Sequence, residues 1–166
     1  MDRLWAPWRL SYVTAAPAPV TECVFCDTRS GRDVDLVVFR AQHCYVILNL
    51  YPYNNGHLMV VPNRHVSTLE ALNPAEQSEL MQLTRLSEMA LNEAYQPHGM
   101  NVGINLGKAA GAGIENHLHV HLVPRWSGDT NFMTAVGETR VLPENLAATA
   151  ERLRPIFDRL VQANSR

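Results

Sequence analysis

The chain has 166 residues, close to one domain at about 150 residues per domain, and a chain of this size buries roughly 70% of its unfolded surface without disulfide staples. Its 46% apolar and 18% charged residues describe a soluble globular protein and exclude a disordered or coiled-coil chain. A net charge of −2 excludes a binder of long nucleic acid, which would carry a basic surplus.

In chain order, Met1 to Val20 comes first. Pro7, Pro17 and Pro19 break it up, so it does not read as a signal peptide, and no apolar run approaches the ~18 residues that cross a bilayer. The expected compartment is the cytoplasm, with no membrane partner. Residues 1–20 read as an aromatic arm carrying Trp5 and Trp8 followed by a Pro-rich linker, expected to pack on the body or on a second subunit. Cys23-Val-Phe-Cys26 suggests metal or redox chemistry more than a disulfide framework.

Leu36 to Phe39 and Cys44 to Leu48 are apolar, β-branched runs that predict strands, and Tyr51 to Gly56 is a dense turn signature. His57 to Val61 predicts a third strand, closed by Pro62. Asn73-Pro74 with Glu76 predicts a capped helix start, and Leu80, Leu83, Ser87, Ala90, Leu91 and Ala94 fall on one helical face that ends near Pro97. Met100 to Leu106 predicts a strand entering the Gly-rich loop 107–113. His117 to Val123 predicts the last strand, stopped by Pro124, and residues 143–162 a C-terminal helix kinked or split at Pro155. Strands that outnumber helices and follow one another directly predict a single α+β domain with a largely antiparallel sheet, one central helix and a C-terminal helix.

The chemistry concentrates in His117-Leu-His119-Val-His121-Leu-Val123. Side chains alternate across a strand, so the three imidazoles share one face while Leu118, Val120 and Leu122 enter the core. At about 3.4 Å per residue, successive imidazoles stand about 6.8 Å apart, a pitch that suits a polyphosphate or a metal. The Gly-rich loop just upstream can bring backbone N–H groups close to an anion. It lacks the Lys-Ser/Thr ending of a nucleotide-triphosphatase P-loop.

These residues resemble the histidine-triad (HIT) superfamily, whose motif is His-φ-His-φ-His-φ-φ with φ apolar. The resemblance runs from about residue 23 to residue 133 and includes Asn49-Leu-Tyr-Pro-Tyr-Asn-Asn-Gly-His57-Leu-Met-Val-Val-Pro62. The Trp-Ala-Pro-Trp-Arg arm and the Pro-Arg-Trp-Ser-Gly-Asp run after the triad are similar to the Fhit-like and bacterial diadenosine tetraphosphate phosphorylase-hydrolase branch. The resemblance implies a HIT-like fold and a nucleotidyl transferase or hydrolase that cleaves dinucleoside polyphosphates at the α-phosphate. It implies His119 as nucleophile through a nucleotidyl-histidine intermediate, and His121 and His57 as donors to phosphate oxygens, with His117 completing the catalytic set. Asn49 matches the ribose-binding position, Ile47 and Met59 the base pocket, and Asn105, Gly111, Gly113 and Ile114 the phosphate loop.

One departure narrows the substrate. Phosphoramidate-cleaving relatives carry a hydroxyl shortly before the triad, and Gly111-Ala-Gly-Ile-Glu-Asn116 has none. An amine leaving group needs a general acid, whereas a polyphosphate leaves with little help, so polyphosphates are favoured.

Cys23 and Cys26 with two distant histidines make a tetrahedral zinc set. The resemblance to zinc-bearing relatives implies His65, in Pro62-Asn-Arg-His65, and His117 as the other ligands. The zinc would be structural, and no organic cofactor is expected. The resemblance further implies a homodimer or higher homo-oligomer, paired through the central helix and a sheet edge. Partners are then small nucleotides: AMP, ADP, ATP and diadenosine polyphosphates. Two other readings stand beside this one: a metal-dependent phosphohydrolase using His119 and His121 as ligands, and a nucleotide-binding module with a silent triad.

Overall fold

In a computed structural model, residues 23–31, 34–129 and 144–164 are described. The arm with Trp5 and Trp8, Asn131, and the predicted helix start at Pro143 lie outside them. Strands β1 (Val37–Arg40), β2 (Cys44–Leu48), β3 (Leu58–Pro62), β4 (Gly99–Ile104) and β5 (Val120–Arg125) form one antiparallel sheet in the order β1-β2-β3-β5-β4. Helices α1 (Val24–Ser30), α2 (Pro74–Tyr95) and α3 (Leu146–Asn164) complete the domain. The expected α+β class with an antiparallel sheet holds.

β2 and β3 are buried at every position, because both faces of the sheet are covered. On one face Val46, Leu48, Leu58, Val60 and Leu122 pack with Leu83 and Leu91 of α2 and Leu153 and Phe157 of α3. Leu118 and Val120 join this core, as the alternation predicted. On the other face Tyr45, Ile47, Met59 and Val61 pack with Phe25 of α1. That second face carries the site.

The central helix starts where the sequence places it. The Asn73 side chain accepts from the Glu76 N–H at 2.9 Å, and the Glu76 carboxylate accepts from the Asn73 N–H at 2.9 Å, a complete capping box with Pro74 at N1. α1 escaped the sequence reading because its N-cap, Cys23, makes no side-chain capping bond. Tertiary contacts hold it instead: Tyr45 Oη donates to the Phe25 carbonyl and Arg40 Nη2 to the Thr28 carbonyl, both at 2.9 Å.

Three expectations are corrected. The last strand begins at Val120, three residues late, and continues through Pro124 to Arg125. Pro124 is tolerated there because β3 pairs with β5 only as far as Leu122, so no strand calls for an N–H at Pro124, whose carbonyl on that side accepts from Asn54 Nδ2. α3 runs unbroken through Pro155, which sits on the exposed side where water can take the freed carbonyl. The strand after α2 ends at Ile104, short of Leu106.

Gly56, just before His57, has φ +74°, and a Cβ there would meet Leu91 Cδ2 at 3.1 Å and Tyr95 Cε2 at 3.2 Å. Only glycine lets the turn lie down on α2 at this point. The two sheet edges differ. Arg154 donates to the Val37 and Asp35 carbonyls and so caps the β1 edge, while β4 presents Val102 at 50% exposure.

Candidate active site and metal centre

The strand register assembles the site. Val37, Ile47, Met59, His121 and Gly103 are successive cross-strand neighbours from β1 to β4, so they share one face. His119 lies on the same face, its ring centroid 4.6 Å from that of His121 and nearly perpendicular to it. Phe25 walls His119 and His117, with ring centroids 5.0 Å and 5.4 Å away.

Backbone partners decide where each imidazole keeps its proton. His119 Nδ1 faces the His117 carbonyl at 2.8 Å, and a carbonyl only accepts, so Nδ1 carries the hydrogen and Nε2 the lone pair. Burial also lowers the His119 pKa, with the bond to the His117 carbonyl opposing it. A neutral ring with a bare Nε2 is the state a nucleophile needs.

The opposite polarity holds for the neighbouring pair. The Tyr53 N–H donates to His57 Nδ1 at 3.1 Å, so His57 carries its hydrogen on Nε2. That Nε2 lies 3.0 Å from His121 Nδ1 and donates to it, which leaves the His121 proton on Nε2. His121 is therefore a donor and His119 an electron-pair source, side by side. His57 is fully buried and its Nε2 is engaged by His121.

Burial, then the charges of His121 and His119, push the His57 pKa down to about 3. The unfolded chain binds a proton on this residue below about pH 6.5 that the folded chain refuses, so stability falls as pH drops from 6.5 towards 3. His57 alone should cost about 2 kcal/mol between pH 7 and pH 5, read as a fall in the urea midpoint, and His57→Gln should flatten that slope. An equal slope in the variant would remove His57 as its source.

The four sequence-predicted metal residues meet. The ligand atoms of Cys23, Cys26, His65 and His117 all lie within 4.8 Å of one another. Cys23 Sγ stands 3.3 Å and Cys26 Sγ 3.7 Å from His117 Nδ1, and Cys26 Sγ stands 3.4 Å from His65 Nδ1. Bonds of about 2.3 Å to sulfur and 2.0–2.1 Å to nitrogen put adjacent tetrahedral ligands about 3.5 Å apart, so the donor set fits zinc. His117 Nε2 donates to the Pro62 carbonyl at 2.9 Å, which turns the bare Nδ1 towards the sulfurs. His117 thus joins the two halves: its side chain faces the thiols and its carbonyl orients His119.

The remaining predicted residues divide. Ile47 and Met59 are buried neighbours, and Ile114 packs against them, an apolar wall beside the imidazoles. Asn49 Oδ1 accepts from the Tyr51 N–H at 2.9 Å, and its Nδ2 stands 3.4 Å from His57 Nδ1. Asn105 follows Ile104, the last residue of β4 and the one opposite Val120. Gly111 has φ +86° and closes a short 3₁₀ turn, Lys108–Ala110, while Gly113 is exposed. Arg125 donates to Asp129 and to Asn101. His98 accepts from the Ser127 N–H at 3.0 Å, and Cys44 is fully buried in the core. The sequence does not single out Phe25 and Asn54, whose contacts are long-range, nor Tyr53, which reaches His57 through a backbone N–H that no side-chain pattern reveals.

Five antiparallel strands carry a row of histidines walled by α1, and the HIT domain family model matches residues 31–128; the chain belongs to that family. It is 44% identical over 165 residues to the AP-4-A phosphorylase of Mycobacterium tuberculosis, covering 92% of this chain and 83% of that one. It is 32% identical over 93 residues to the bis(5'-nucleosyl)-tetraphosphatase of Schizosaccharomyces pombe, covering 56% of this chain and 50% of that one. A Zn-bound histidine triad family protein from Mycobacterium smegmatis superposes with a TM-score of 0.70 at 26% identity, over 86% of this chain and 97% of that one.

Proposed function

We propose that the chain cleaves dinucleoside polyphosphates, diadenosine tetraphosphate foremost, at the α-phosphorus, and passes the nucleotide to orthophosphate. The observation that carries this is the bare Nε2 of His119 set beside the Nε2–H of His121. His119 Nε2 bonds to the α-phosphorus as the bond to the bridging oxygen breaks, and the electron pair leaves with the polyphosphate. His121 donates to oxygens that gain charge, and His57 holds His121 in that tautomer. An orthophosphate oxygen then attacks the same phosphorus, the N–P bond breaks, and His119 is restored.

The apolar wall of Ile47, Met59 and Ile114 suits an adenine, and Asn49 and Asn105 suit ribose and phosphate. Lys108 and the loop 107–113 are the candidate seat for the accepting phosphate. The relation to the M. tuberculosis phosphorylase favours phosphate over water. Labelled orthophosphate should enter ADP, with ATP as the other product, and turnover without phosphate should be slow and release AMP. Equal rates of AMP release with and without phosphate would make the protein a hydrolase.

Cys23, Cys26, His65 and His117 would hold one structural zinc, which stabilises the N-terminal segment against the sheet. Free thiols in this set suit a reducing cytoplasm, and no helix among the described residues is long and apolar enough to cross a membrane. The open β4 edge with the groove of Leu69, Leu80, Met81, Val102 and Ile104 supports pairing with a second copy, a homodimer at least.

A further inference from the structure

Asp129 closes the loop after β5, yet its carboxylate is only 12% exposed and, among the described residues, accepts from Arg125, Trp126 and Asn54. Arg125 Nε and Nη2 grip it at 2.6 and 2.9 Å. The Trp126 N–H donates to Oδ2 at 3.1 Å, and Asn54 Nδ2 donates to the same oxygen at 2.8 Å. The last contact spans 75 residues and leaves the loop altogether. Asn54 also donates to the Pro124 carbonyl at 3.0 Å, so its amide is pinned to the end of β5 from two sides.

Asn54 belongs to the turn that governs His57. Its own carbonyl accepts the His57 N–H at 3.2 Å, and the preceding residue supplies the Tyr53 N–H that fixes the His57 tautomer. On the far side, Arg125 Nη1 donates to Asn101 Oδ1 at 2.9 Å and ties the assembly to β4. A largely buried carboxylate with four such donor hydrogens among the described residues is a rigid anchor, since losing any one leaves the others poorly matched.

We propose that Asp129 is a positioning residue for nucleotidyl transfer: through Asn54 it holds the Tyr53–His57 turn so that His57 donates to His121 and His121 keeps its proton on Nε2. This rests on the histidine chemistry proposed above. Because Asp129 reaches the imidazoles through Asn54, its effect should fall on the rate of the chemical step and leave binding nearly unchanged.

The test compares Asp129→Ala, Asn54→Ala and the double variant with the wild type. For diadenosine tetraphosphate with orthophosphate, each single variant should lower kcat about tenfold to a hundredfold with KM within about threefold. The double variant should be no worse than the worse single, because both act through one contact. Imidazole 15N resonances should show one His57 tautomer in the wild type and a mixture in the variants, a signature that simple loss of stability does not produce. Asn54→Ala keeps the Asp129–Arg125 pair and serves if Asp129→Ala fails to fold. Wild-type kcat and 15N patterns in the folded variants, a loss confined to the melting temperature, or additive losses in the double variant would each overturn the proposal. Should the wild type leave diadenosine tetraphosphate intact, the reaction proposed above falls, and the 15N patterns alone uphold or overturn the role of Asp129.

Discussion

His119→Ala abolishes turnover of diadenosine tetraphosphate while AMP affinity stays within about tenfold, or about 1.4 kcal/mol. The size of the effect follows from the role. Without Nε2 there is no covalent intermediate, and direct attack by phosphate must bring two anions together in a single displacement. The affinity is spared because the buried wall of Ile47 and Met59 belongs to the sheet and stays in place. His121→Ala should be milder, since it removes a donor and leaves the nucleophile. Steady-state kinetics with calorimetric AMP binding separates the two effects. Residual turnover near the wild-type level would remove His119 from the mechanism, and a matching loss of AMP binding would make it a binding residue instead.

Zinc removal is the second large effect. Elemental analysis should find one zinc per chain, and Cys26→Ser should lower the melting temperature on the order of 10 °C, because metal that binds only the folded state adds its binding energy to stability. The loss should be felt first in α1, whose N-cap is a proposed ligand and which has no side-chain cap of its own. Turnover well below the melting temperature should fall less than stability. The His117 carbonyl that orients His119 is also held through the Pro62 bond, which does not involve the thiols. A metal-free protein of unchanged melting temperature would end the zinc reading. A chelator that stops catalysis at once without unfolding would instead favour a metal in the chemical step.

Local chemistry along the chain was enough for much of this. The capping box at Asn73 predicted where α2 begins because both partners lie within one turn of helix. The alternation placed Leu118, Val120 and Leu122 in the core, and it extends to Leu118 although the strand itself begins only at Val120. The four metal residues followed from ligand chemistry and resemblance. Other features depended on which strands became neighbours. Cys23 gives no sign of starting a helix, so α1 exists only where Tyr45 and Arg40 meet it across the sheet. Pro155 breaks an isolated helix pattern but lies on the solvent side of α3, a fact set by packing on Leu153 and Phe157. The proton positions were likewise settled in three dimensions: an imidazole can hold its hydrogen on either nitrogen, and only the His117 carbonyl and the Tyr53 N–H select one for His119 and the other for His57. The sequence determined which residues could do the chemistry; the register of β3, β5 and β4 decided which of them share one face, and burial set His57 behind His121.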